Sequence, residues 1–240
     1  KTLILNRSYR VRKVTIENAN GLHISASGSL LGNATEPTDA LLVIKNSVDI
    51  CISGRLAVSG NPHYESGVWI YSDNTPGRVV PTCFFSLNNM VVANVRTAWR
   101  FGHKDYPTAC LSEITIHGGQ TYNCARAVDL TGGETVVNFV GAILHTVKGA
   151  WVTPPDFEEV GVHMAGGALI ITGGELLHVA SAEGALIALE PFHGTFGRIS
   201  VLNACLETAA PIIVGKIGKE AESSIDGHIS ICHCFGYHSH

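Results

Sequence analysis

Short runs in which apolar and polar residues alternate recur along this chain, and each run closes on Gly, Asn or His. Asp49-Ile-Cys-Ile-Ser-Gly54, Ile114-Thr-Ile-His-Gly118, Val137-Asn-Phe-Val-Gly141, Leu169-Ile-Ile-Thr-Gly173, Ile199-Ser-Val-Leu-Asn203 and Ile229-Ser-Ile-Cys-His233 carry two apolar residues at i and i+2 and then a corner. A period of two predicts short strands with one buried face. Glycine or asparagine at the corner permits the positive φ of a sharp bend. The later corners fall at 118, 141, 173, 203 and 233, in steps of 23, 32, 30 and 30 residues, the size of a solenoid repeat.

A second repeat runs between these units: Ala98-Trp-Arg-Phe-Gly102, Ala127-Val-Asp-Leu-Thr131, Gly161-Val-His-Met-Ala165 and, less regularly, Leu186-Ile-Ala-Leu-Glu190. It supplies another strand to each coil. Two or three strands per repeat, with few helical stretches, predict an all-β chain wound as a single-stranded parallel β-helix, a β-solenoid. A β-sandwich would show hairpin turns every ~8–12 residues, and Asn20-Gly21 and Asp226-Gly227 do not recur at that spacing. Insertions are expected at 57–66, 72–82, 102–111 and 148–160, rich in Pro, Asp, Asn, Tyr and His. In a solenoid such insertions project from one face and form the binding surface. No linker interrupts the pattern, so residues 1–240 read as one domain.

Composition agrees with this picture. Of 240 residues, 45% are hydrophobic and only 15% charged, with 26 Gly, against about 25% charged in an ordinary domain. Stacked coils need little charge where their outward faces meet sister subunits. The net charge is −4 and no Lys/Arg stripe tracks a phosphate backbone, so nucleic acid is not an expected partner. No apolar run is long enough to span a bilayer and no leader opens the chain, so membrane insertion is not expected. The seven cysteines lie within alternating stretches and read as buried thiols. The start at Lys1 and the end on His240, just after a strand-like run, read as an excerpt of a longer chain.

With the coils in place, a resemblance emerges. Leu3-Ile-Leu, Tyr9-Arg-Val and the run Val14-Thr-Ile-Glu-Asn-Ala-Asn-Gly-Leu-His-Ile-Ser-Ala-Ser-Gly-Ser-Leu-Leu31 resemble the opening coils of the pectate-lyase-like right-handed β-helix superfamily. Asn123-Cys-Ala-Arg-Ala-Val-Asp-Leu-Thr-Gly-Gly-Glu134 is similar to coils of bacteriophage tailspikes and capsule depolymerases. The resemblance implies a homotrimer on a virion tail, or a secreted protein, that binds and cuts bacterial capsular or O-antigen polysaccharide. It is a likeness of coil spacing and carries no catalytic signature. Of the polygalacturonase motifs only Asn74-Thr-Pro76 and Arg198-Ile-Ser200 come near, which disfavours pectin hydrolysis, and no acidic cluster resembles the calcium site of pectate lyases.

Equivalent residues of successive coils stack about 4.8 Å apart. If Trp99, Val128 and Val162 point inward, then Arg100, Asp129 and His163 stack outward as a cation, a carboxylate and an imidazole. Such a row could bind an acidic sugar and exchange protons with it. The plainer alternative is an ion-pair ladder that keeps an exposed sheet soluble. Hydrolysis of a glycosidic bond commonly takes two carboxylates. Asp129 with Glu134 or Asp156 is the first candidate pair, and Glu175 a further one, one residue out of phase with Glu207. Each carboxylate taken alone is better explained as a solvated surface charge.

Tyr64, Trp69, Tyr71, Trp99, His103, Tyr106 and Trp151 offer flat faces to pyranose rings, although strand aromatics such as Trp69 and Trp99 serve first as core fillers. His103-Lys-Asp-Tyr106 is the most loop-like set, and Arg100, His103, Lys104, Tyr106 and Trp151 are the expected substrate contacts. Hydrolysis by paired carboxylates is the leading expectation; a Tyr or His base with an Arg or Lys neutraliser would also suit a polysaccharide lyase, and the same groove without chemistry would suit an adhesin. His228, Cys232-His-Cys234, His238 and His240 raise zinc, but strand alternation turns His233 away from the two cysteines, so no metal is expected. No P-loop, dinucleotide fingerprint or nucleophile elbow is present, and no cofactor is expected.

Overall fold

A computed structural model describes residues 1–73, 82–106, 108–132, 135–147, 159–179, 184–190, 197–215 and 227–238. Every described element is a strand, and the strands pair in parallel from coil to coil. The chain is a parallel β-helix with three strand ladders.

The alternating runs of the first repeat form the first ladder. Its nine strands are Thr2–Leu5, Asn20–Ala26, Val48–Gly54, Thr82–Asn88, Leu111–His117, Thr135–Val140, Gly167–Thr172, Gly197–Leu202 and Gly227–Cys232. The period of two puts Ile24, Ile52, Leu87, Ile116, Phe139, Ile171 and Val201 in one inward row. All are buried, and each such side chain removed from water contributes about 1.5–3 kcal/mol.

The corners that end these strands are left-handed as the sequence requires. Gly54, Gly118, Gly141, Gly173, Asn203 and His233 have φ of 83°, 60°, 66°, 64°, 54° and 53°. A further corner that the sequence pattern passed over is Asn89, at φ 51°. At Gly54 a Cβ would also collide with the Ala26 carbonyl of the coil below.

The second ladder runs from Ser8–Val11 through Ser29–Gly32 and Ala57–Ser59 to Phe235–His238. The third includes Val14–Glu17, Thr38–Lys45, Tyr64–Tyr71, Val160–Met164 and Ala185–Leu189. Two long strands, Val91–Phe101 and Gln120–Leu130, belong to both ladders because each bends at an asparagine in the left-handed region, Asn94 and Asn123. The Asn123 amide donates to Asn94 Oδ1 at 2.6 Å, and Asn94 donates in turn to Ser59 Oγ at 2.8 Å, tying three corners together.

Several expectations need correction. Residues 57–66 are no insertion: they hold the strand Ala57–Ser59 and the start of Tyr64–Tyr71. Tyr64 and Trp99 are core residues and offer no face to a ligand. Tyr64 donates its hydroxyl to the Arg12 carbonyl at 2.6 Å, and Trp99 packs against Phe101 and Phe139. Only Cys83 and Cys124 are buried thiols, while Cys232 is exposed and the other four are half-buried. The strand alternation assumed for Cys232 and Cys234 fails because the corner at His233 lies between them.

Candidate functional site

The second repeat builds the outward face of the third ladder. Register sets Trp69 opposite Arg100, Arg100 opposite Asp129, Asp129 opposite His163 and His163 opposite Ala188. The neighbouring row of Val68, Trp99, Val128, Val162 and Ile187 faces inward and is buried. Alternation therefore points Arg100, Asp129 and His163 outward on three adjacent strands.

These side chains interlock. His163 Nδ1 lies 2.7 Å from Asp129 Oδ1, and its Nε2 lies 3.2 Å from Glu190 Oε2. Both ring nitrogens thus face carboxylate oxygens, one on each side of the ring. Arg126 Nη1 stands 3.5 Å from the other Asp129 oxygen. Burial alone would raise the Asp129 carboxyl, but the Arg126 guanidinium, the His163 hydrogen bond and the charges of His163 and Arg100 together hold it far below the ordinary carboxylate range. Burial in turn pushes the Arg126 guanidinium below its usual value, with Asp129 opposing. Asp129 is thus a fixed anion. Glu190, with 45% of its side chain exposed, is the carboxylate that solvent reaches.

On the other side of Arg100 the row turns aromatic. Its guanidinium lies over Trp69, 4.4 Å from the ring centroid. His103 stacks on Trp69 at 5.1 Å and touches Tyr71 at 5.2 Å and Tyr106 at 4.8 Å. The Trp69 indole donates to the Gly102 carbonyl at 2.8 Å, which fixes the ring beside the residues that follow Phe101. Burial lowers the His103 pKa, Asp105 raises it, and Arg100 and Lys104 lower it further. Glu65 bridges to the row through Arg96 Nη2 at 3.0 Å and, more loosely, Arg100 Nη1 at 3.9 Å.

The sequence candidates therefore divide. Arg100, Asp129, His163, His103 and Tyr106 come together on one face, with Lys104 exposed beside them. Glu175 lies apart, in the second ladder strand Glu175–His178. There its Oε2 is 3.1 Å from His145 Nε2, without hydrogen-bond alignment. Register sets Glu175 opposite Cys205 and Glu207 opposite Leu177, two positions apart on one side of the strands, so they are not out of phase as the sequence reading had it. Glu134, Trp151 and Asp156 lie outside the described residues. Among the described residues no group of three or more His, Cys, Asp or Glu could hold a metal ion.

Sequence reasoning missed Glu65, Arg96, Arg126 and Glu190. Glu190 had a signal, since it occupies the corner place of the fourth second-repeat segment, after Leu189. Arg126 immediately precedes another such segment, but its i,i+3 contact with Asp129 depends on how the chain passes the Asn123 bend.

No protein-family model matches this chain, and no curated protein or solved structure matches it either. The fold class is a parallel β-helix on the evidence of its own register, and the site is defined by its own geometry.

Proposed function

We propose that this chain binds a bacterial capsular or O-antigen polysaccharide along the outward face of the third ladder and cleaves it there, as a tailspike-like depolymerase. The observation that carries the reading is His163, hydrogen-bonded through one nitrogen to the half-buried Asp129 and through the other to the more exposed Glu190. Asp129 orients the ring and does not exchange protons. His163 and Glu190 are the groups that meet substrate. In hydrolysis the glycosidic bond breaks as the leaving oxygen takes a proton from His163, and a water enters on the vacated side, adds to the anomeric carbon and gives its proton back to the His163–Glu190 pair.

A second reading is elimination, favoured by Arg100 one strand from Asp129. There His163 removes the proton next to a uronate carboxylate that Arg100 neutralises, the freed electron pair forms a carbon–carbon double bond, and the glycosidic oxygen leaves with the proton that His163 returns. Incubating the protein with a panel of capsular and O-antigen polysaccharides separates these cases. New reducing ends without ultraviolet absorbance mean hydrolysis, and both signals together mean elimination. Binding with neither signal makes the protein an adhesin and overturns the catalytic reading.

The same reading makes the active form a homotrimer, acting on a virion tail or as a secreted protein. What supports self-association is an uncharged outward row of the first ladder: Ser86, Thr115, Asn138, Ile170, Ser200 and Ser230. Sedimentation at several protein concentrations tests it. A trimer is expected, and a monomer throughout would refute it.

A further inference from the structure

We propose that this site reads an acidic glycan, that Arg100 is the residue that recognises its acid group, and that Glu65 is the internal carboxylate the ligand displaces. The proposal rests on the polysaccharide reading of the same face and commits it to one substrate class.

Arg100 is the least well compensated cation of the row. Its nearest carboxylate oxygen, Glu65 Oε2, is 3.9 Å from Nη1, whereas a charge-assisted hydrogen bond spans about 2.7–2.9 Å. Glu65 is committed elsewhere, since its other oxygen pairs with Arg96 Nη2 at 3.0 Å. The Arg100 Nε is buried and has no hydrogen-bond acceptor. Yet only 20% of the side chain is exposed, so water compensates the charge poorly. A guanidinium so placed gains from an incoming carboxylate, which its planar fork matches in two parallel bonds.

The surroundings select a sugar over a free anion. The Arg100 plane is held over Trp69, and the aromatic group continues outward through His103 to Tyr106, the exposed member. An apolar ring face next to a cation suits a uronic or sialic acid residue, whose acid group and flat side lie on one ring. Glu65 has 48% of its side chain exposed and sits at the edge of the row, so it can turn into solvent and keep its hydration when a ligand acid takes its place.

The full chain is titrated with a sialic-acid homopolymer, a polyglucuronate, a neutral dextran and dextran sulfate. The two carboxylated polymers are expected to bind roughly tenfold or more tighter than dextran. Arg100→Gln collapses that ratio toward one, and Arg100→Lys retains part of it. Glu65→Gln raises affinity for the acidic polymers severalfold, because the internal competitor is gone. Glu65→Gln also keeps the proposal testable if Arg100→Gln fails to fold. Dextran bound as tightly as the acidic polymers overturns the proposal while leaving the polysaccharide reading intact. So does an unchanged ratio in an Arg100→Gln protein of wild-type melting temperature. Equal binding of dextran sulfate that does not depend on Arg100 marks a diffuse charge effect and overturns it too. Failure to bind any glycan overturns both readings.

Discussion

His163 and Asp129 face each other across adjacent strands of the third ladder, with Nδ1 of the ring 2.7 Å from a carboxylate oxygen that Arg126 helps to keep charged. The pair owes its existence to register. Asp129 and His163 are 34 residues apart in sequence and occupy the same place in successive coils.

Removing the Asp129 charge takes a counter-charge away from the buried Arg126. Asp129→Asn is therefore expected to lower stability by about 3–5 kcal/mol, the usual penalty for breaking a buried ion pair from one side. Chemical denaturation of Asp129→Asn, Arg126→Met and the double variant reads it. The double variant should recover much of the loss, and strict additivity would mean that the two side chains do not depend on each other.

Acid stability follows from the same carboxylate. Its folded pKa is depressed, so its contribution is fully present above the unfolded value of about 3.9 and is lost as pH falls through the folded value. Wild-type stability should therefore decline below about pH 4 in part because of this group. In denaturant melts across this range, Asp129→Asn should show a shallower decline than wild type.

Thiol chemistry should follow exposure. Burial pushes the Cys124 thiol up to about 12, with backbone hydrogen bonds opposing, whereas Cys232 is exposed. A thiolate reagent at mildly alkaline pH should label Cys232 early and Cys124 only after unfolding. Peptide mapping of the labelled protein checks the order, and early labelling of Cys124 would contradict the packed core around it.

The left-handed corners should be intolerant of side chains. Gly54→Ala places a Cβ against the Ala26 carbonyl at φ 83°. It should lower the denaturation midpoint, the left-handed backbone alone costing about 1–2 kcal/mol. Gly141, at φ 66° but with open space where a Cβ would sit, should lose only that backbone share on substitution by alanine.

Much of this architecture was legible in the residues because a β-helix repeats one physical rule. Period-two burial and a left-handed corner recur coil after coil, and the outward row of Arg100, Asp129 and His163 followed from the phase of Trp99, Val128 and Val162. The rest needed three dimensions. Nothing in the sequence shows that the chain bends at Asn94 and Asn123, and those bends bring Arg96 and Arg126 to the row. The 34-residue separation of Trp69 and His103 hides their stacking, because it depends on the chain after Val91–Phe101 turning over the neighbouring strand Tyr64–Tyr71. Glu175 looked equivalent to the other carboxylates because a linear repeat does not say which of three ladders a residue occupies.

The central claim is that His163 and Glu190 move the proton when a polysaccharide is cut. It is tested most directly by the rate of reducing-end release from a bound polysaccharide, measured for wild type, His163→Ala and Glu190→Gln alongside glycan binding. The account predicts that each variant still binds but cuts about a hundredfold or more slowly, the usual scale of a lost acid or base. Both variants cutting at the wild-type rate would contradict it, as would a wild type that binds the polysaccharide and releases no ends.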